Sequence, residues 1–406
     1  MQNNPKWKPE SKLLAVLDQA LSSGMSFTVM YLVANSYSLT IIAVLSLVGN
    51  ISYSYATISK SQLLYSSLLH SRDSDENDQP KETHLLIPGL QFSLVSTVAM
   101  IVFWISMSAV NSTRISFQMV VFFIGVLLTD YFRNVLIHQG LRIVSAQLNL
   151  LSVLLLFLFL VIRNVSPVYV DLISFWAILQ FVFPLYVIIN FKVKKVKFLK
   201  RMRNEKLTGR YFFIEASFSR LTMLLGSLYT LFSDSELAGT LAISYLIFAA
   251  FPSLITSALQ PISNQLVIKG RFGKAFESVV ISTYVSHVLW LFLFSMVLHF
   301  KSSWFPSTFL VAQEWCFGIM LSSMATAFLN LYQIRMLSDL GPLIFLRVRI
   351  IAAIFTGPVG AVIVVNSNVV AYSLYCLLFC LLLNPIVYQK YLTSRFFSNP
   401  NSGKEN

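Results

Sequence analysis

The 406-residue chain is 56% hydrophobic and only 12% charged, where a soluble domain carries roughly 25% charged residues, so water-soluble domains cannot hide its apolar side chains. Its 30 Lys and Arg against 17 Asp and Glu leave a net charge of +13, which points either to a polyanionic partner or to a membrane face. The three cysteines, Cys316, Cys376 and Cys380, all lie in apolar runs, and an odd set without metal-ligand spacing excludes a disulfide framework and a zinc site.

A bilayer core about 30 Å thick takes around 20 mostly apolar residues per helix. Twelve such segments follow one another, at 12–34, 39–60, 85–109, 114–137, 141–162, 168–190, 208–232, 238–262, 275–299, 306–333, 342–365 and 368–391. They predict an all-α polytopic membrane protein of about twelve transmembrane helices in two six-helix lobes. Lys6, Lys8 and Lys12 precede the first segment as they would in a signal peptide, but Asp18 interrupts it and no A-x-A site follows, so it reads as a retained helix. The expected layout is an N-terminal lobe at 1–190, a basic cytoplasmic linker at 191–210, a C-terminal lobe at 211–392 and a cytoplasmic tail at 393–406.

The basic residues test this threading, because Lys and Arg collect on the cytoplasmic side of a membrane protein. Twenty-six of them fall at one set of segment ends, nine in the central linker alone; Arg114, Arg163 and Lys301 fall at the other, and Arg220 lies inside a segment. Both termini are therefore expected in the cytoplasm. The run "KVKKVKFLKRMR" then reads as contact with anionic lipid, each basic residue worth about 1 kcal/mol near the surface, and no nucleic-acid partner is expected. The hydrophilic stretch "SRDSDENDQPKETH" after the second segment is too poor in apolar residues to fold alone and reads as a tether. Short outer loops leave no room for an enzymatic domain, no phosphate-binding glycine loop occurs, and no cofactor is called for.

Polar side chains inside spans face protein or water, so their helical phase marks candidate sites. In the first segment Asp18 is followed by Ser22, and in the seventh Glu215 is followed by Ser219; an acid with a serine one turn later recurs at the start of each half, as parallel repeats would give. In the second, Asn50, Ser54 and Thr57 share a face. In the eighth, Ser253, Thr256, Ser257, Gln260 and Asn264 form one stripe flanked by Pro252 and Pro261, suited either to a cavity wall or to interhelical hydrogen bonds. Arg220 needs an anionic partner, either an internal acid such as Asp18 or Glu215 or the phosphate of a substrate. The substrate-path candidates are thus Arg220, Asn50, Ser54, Ser253, Thr256, Ser257, Gln260 and Asn264; the gating or coupling candidates are Asp18, Glu215, Glu314 and His287.

Three stretches carry a resemblance: "LDQALSSGMSF" at 17–27, "DYFRNVLIHQGLRIVSAQLNLL" at 130–151 and "LAGTLAISYLIFAAFPSLITSALQPISNQLVIKG" at 237–270. These resemble bacterial polysaccharide flippases of the multidrug/oligosaccharidyl-lipid/polysaccharide exporter superfamily. The resemblance implies a transporter in the inner (cytoplasmic) membrane that moves undecaprenyl-pyrophosphate-linked oligosaccharide units, such as O-antigen units, by alternating access between two lobes. Its partners would be membrane lipid, the lipid-linked oligosaccharide and a polysaccharide polymerase with its chain-length regulator. A cation-coupled drug exporter of the same superfamily is the alternative, and a membrane-bound polymerase or glycosyltransferase is disfavoured by the short outer loops.

Overall fold

The computed structural model describes residues 9–70, 84–85, 90–138, 141–165, 171–190, 194–195, 207–248, 252, 255, 274–300, 305 and 307–382. The stripe at Ser253, Thr256, Ser257, Gln260 and Asn264, most of the basic linker and the 393–406 tail lie outside these residues. Within them the chain is helical almost throughout. The helices are α1 (Pro9–Ser36), α2 (Leu39–His70), α3 (Leu90–Val110), α4 (Thr113–His138), α5 (Arg142–Val165), α6 (Leu172–Leu179), α7 (Val182–Asn190) and α8 (Leu207–Ser233). They continue with α9 (Ser235–Phe248), α10 (Lys274–Phe300), α11 (Ser307–Glu314), α12 (Cys316–Ile354), a π turn at Phe355–Val359, α13 (Gly360–Asn366) and α14 (Val369–Leu382). A two-residue parallel pairing joins His84–Leu85 to Lys194–Lys195.

Hydrocarbon offers backbone groups no partners, so a chain of this composition satisfies them internally as helices. Six helical stretches among the described residues are long and apolar enough to cross a bilayer: Leu39–Ile58, Thr113–Arg133, Arg142–Arg163, Leu172–Asn190, Ser278–Phe300 and Phe345–Asn366. The protein is accordingly a helical membrane protein. Four further apolar helices, Leu94–Val110, Ser235–Phe248, Cys316–Leu331 and Val369–Leu382, are shorter, while α1 and α8 run 28 and 27 residues. Hydroxyls inside these helices fold back onto their own backbone: Ser52 donates to the Val48 carbonyl at 2.8 Å, Ser106 to Val102 at 2.8 Å and Ser152 to Leu148 at 2.9 Å, which removes the cost of a bare hydroxyl in an apolar setting. Between α3 and α4 the chain reverses through Asn111 at φ 51°, a left-handed conformation that asparagine tolerates better than most residues.

The chain divides into two compact units, Met1–Ile243 with Pro342–Ala361, and Ser244–Gly341 with Val362–Asn406. In the first, α4 packs against α2, α3 and α6, α1 packs along α5, and α2 runs against α8. Small residues set the close approaches. A β-carbon on Gly239 would clash with the Leu39 carbonyl oxygen, and beside it the hydroxyls of Thr40 and Ser235 meet at 3.0 Å. Gly226 of α8 lies so near the π turn that a β-carbon there would meet the Gly357 oxygen at 2.6 Å. Pro358 sits within that turn, where its missing N–H and its ring bulk are accommodated by the wider helix. In the second unit Ser244 donates to the Ala312 carbonyl at 2.8 Å, Trp290 Nε1 to Ile247 at 2.7 Å, and Gly318 lets Tyr372 lie flat against its helix.

Candidate functional site

The acid and serine that begin each half of the sequence each hold an arginine. On α1 the Asp18 carboxylate is 2% exposed. Its Oδ2 accepts from Arg133 of α4, at 2.7 Å from Nη2 and 3.2 Å from Nε; its Oδ1 accepts from Ser145 at 2.8 Å and Asn149 at 2.7 Å, both on α5. Arg133 also reaches the Ser22 hydroxyl at 3.3 Å. On α8 the buried Glu215 accepts at Oε1 from Arg349 Nε at 2.8 Å and from Ser219 at 3.1 Å. Arg349 lies near the face of Phe345, 6.0 Å from the ring centre. Four donors around one carboxylate stabilise its ionised form in a setting that would otherwise penalise the charge, and the guanidinium cancels that charge locally.

The sequence counts both arginines among the basic residues at the cytoplasmic segment ends and names no partner for either. The two acids considered for Arg220 are held by Arg133 and Arg349, and Arg220 itself is half-buried on α8. Glu215, Ser219 and Thr222 of α8, with Gly226 in line, face the segment carrying Arg349 and Gly357, while Ile214, Phe218, Leu221, Leu225 and Phe232 make its accessible side. This helix turns apolar groups outward, as a lipid-facing helix does.

Helix α2 does the opposite. Its accessible residues are Asn50 and the half-exposed Tyr53, with Ser46 and Thr57 partly accessible on the same stripe, at intervals of four, three and four residues that keep one helical face. Ile42, Val44, Leu45, Leu47 and Val48 point into the packed interior. Across the bundle α5 shows the ordinary pattern, exposing Ile143, Leu150, Leu154, Phe157 and Leu158 while burying Ser145, Asn149 and Ser152. A polar face turned outward in the middle of a membrane-spanning stretch is costly against acyl chains and favourable against water. Helix α2 packs along α4, which carries Arg133 of the Asp18 cluster.

The remaining expected residues fall elsewhere. Ser54 is buried rather than on the open face. His287 is 1% exposed in α10, its Nδ1 donating to the Thr283 carbonyl at 2.7 Å and its Nε2 paired with the Ser323 hydroxyl at 3.3 Å, a satisfied core histidine. Glu314 is exposed at the end of α11. A further polar cluster, unforeseen from sequence, surrounds Asp171 at the start of α6: it caps Ser174 N at 2.8 Å and accepts from Gln118 at 2.5 Å and Arg114 at 3.0 Å. Burial and the neighbouring Asp171 carboxylate push the Tyr37 phenol, in the turn after α1, above its ordinary range. Among the described residues no group of His, Cys, Asp and Glu is arranged to hold a metal ion.

No protein-family model matches the chain, and no curated protein matches it.

Proposed function

We propose that the chain is a flippase that carries undecaprenyl-pyrophosphate-linked oligosaccharide units across the bacterial inner membrane by alternating access between two six-helix lobes. The observation that carries this reading is the reversed face of α2, with Asn50 and Tyr53 accessible and Ile42, Val44, Leu45, Leu47 and Val48 packed inward. A bulky hydroxylated headgroup crossing a bilayer needs such a polar wall, since each hydrogen-bonding group stripped of water without a partner costs about 1–3 kcal/mol. The polyprenyl tail stays in lipid. Arg133, on the helix packed against α2, adds positive charge on the side where a pyrophosphate would pass while its fork is held by Asp18, and the basic linker favours an orientation with that end of the bundle at the cytoplasm.

The test is transport itself. Purified protein in vesicles, supplied with undecaprenyl pyrophosphate bearing a fluorescent saccharide, is expected to expose the label to an outside quencher at a rate proportional to protein copies per vesicle. Rates equal to protein-free vesicles would refute the proposal.

The cation-coupled drug exporter remains a second reading because two buried carboxylates, Asp18 and Glu215, sit within the helices. It predicts that Asp18→Asn and Glu215→Gln abolish drug-dependent ion flux. The occupancy of Asp18 by four donors from three side chains weighs against it, since a coupling ion would first have to displace Arg133.

A further inference from the structure

The polar face of α2 has a composition beyond what water alone requires. A passage needs hydration, which Ser, Thr and Asn supply; it does not need a large aromatic ring. Yet Tyr53 places its ring at the accessible centre of the stripe, half exposed, with Asn50 exposed one turn before it and Thr57 partly accessible one turn after it. The Thr57 hydroxyl is turned back onto the Tyr53 carbonyl at 2.7 Å, which leaves the ring and the Asn50 amide as the groups this face offers to an occupant.

We infer that Tyr53 and Asn50 form a saccharide-binding subsite, with Tyr53 as the platform. The inference rests on the flippase reading and adds the part of the substrate that the site grips. A pyranose ring has one face of C–H groups and a rim of hydroxyls. The C–H face stacks on an aromatic ring, a contact that buries apolar surface on both sides. The rim hydroxyls are both donors and acceptors, and a primary amide matches them: Asn50 offers two N–H donors and a carbonyl acceptor. A bare polyprenyl pyrophosphate has neither a C–H face nor a hydroxyl rim, so the subsite discriminates for the sugar. The tyrosine hydroxyl gives the platform a hydrated edge, consistent with its place on the open side of α2 while smaller Ser52 and Ser54 are packed inward.

The test compares binding of two lipids to purified protein in nanodiscs: undecaprenyl pyrophosphate alone, and the same lipid carrying a mono- or disaccharide that contains N-acetylglucosamine, galactose or mannose. The wild-type protein is expected to bind at least one sugar-bearing lipid about tenfold more tightly than the bare one. Tyr53→Ala and Asn50→Ala are each expected to reduce that ratio below about threefold, and Tyr53→Phe, which keeps the platform, to retain most of it. Both positions are accessible on a helix surface, and an unchanged helical circular dichroism spectrum confirms that the variants are folded. A ratio near ten in Tyr53→Ala overturns the subsite, as does a ratio near one in the wild type. Wild-type protein that binds neither lipid overturns the subsite and the flippase reading together, whereas equal binding of both lipids overturns the subsite alone.

Discussion

Replacing Arg133 by glutamine leaves the Asp18 carboxylate buried at 2% exposure with its charge uncancelled. Removing one partner of a buried ion pair costs about 3–5 kcal/mol. Here the low end of that range applies, because Ser145 at 2.8 Å and Asn149 at 2.7 Å still donate to Oδ1 after both guanidinium contacts to Oδ2 are lost; the expected loss is about 3 kcal/mol. Adding Asp18→Asn to the same protein removes the stranded charge while the new amide oxygen continues to accept from Ser145 and Asn149. The double variant is therefore expected to lose only about 1 kcal/mol, the net worth of the hydrogen bonds not remade. Equilibrium unfolding in mixed micelles with increasing dodecyl sulfate, followed by helical circular dichroism, measures all three proteins on one scale. A loss under about 1 kcal/mol for Arg133→Gln, or a double variant as unstable as the single one, would refute the reasoning, since the cycle isolates the pair's coupling.

Three further outcomes follow from the same packing. Arg349→Gln strands the buried Glu215, whose Oε1 keeps only the Ser219 hydroxyl, and is expected to cost about 3 kcal/mol in the same unfolding assay, most of it recovered by adding Glu215→Gln. Gly226→Ala drives a methyl to 2.6 Å from the Gly357 oxygen and is expected to destabilise by about 1–3 kcal/mol. Gly24→Ala, with nothing within 4 Å of the added carbon, is expected instead to stabilise by about 0.5–1 kcal/mol through the lower backbone entropy of alanine.

The apolar stretches and the acid at the start of each half were legible because they are local: hydropathy and one helical turn suffice to see Asp18 with Ser22 and Glu215 with Ser219. Their arginines were not, since Arg133 lies 115 residues from Asp18 and Arg349 lies 134 from Glu215, and no short-range pattern records which helices meet. The Ser145, Asn149 and Ser152 stripe of α5 carries the same spacing of four and three residues as the stripe read on α2. The strong hydropathy of the surrounding leucines masked it. On α2 the spacing groups Asn50, Ser54 and Thr57 on one face; Asn50 and Thr57 do lie on the open stripe, but Tyr53 completes it in place of the buried Ser54. The reason is steric and polar at once. Serine is small enough to lie in a helix contact, as Ser52 does while donating to the Phe123 carbonyl of α4 at 3.3 Å, whereas a phenol ring is too large for that seam and its hydroxyl favours water. Periodicity marks which residues share a face; side-chain volume decides which face is packed.

The account depends on water reaching the middle of α2, and thiol labelling measures that directly. In a background with Cys316, Cys376 and Cys380 replaced by serine, single cysteines at Asn50 and Tyr53 are expected to react with a charged maleimide in membranes, because water permits the thiolate to form. Cysteines at Leu154 and Phe157, on the apolar side of α5, are expected to stay unlabelled under the same conditions. Labelling at Leu154 and Phe157 with none at Asn50 and Tyr53 would contradict the account.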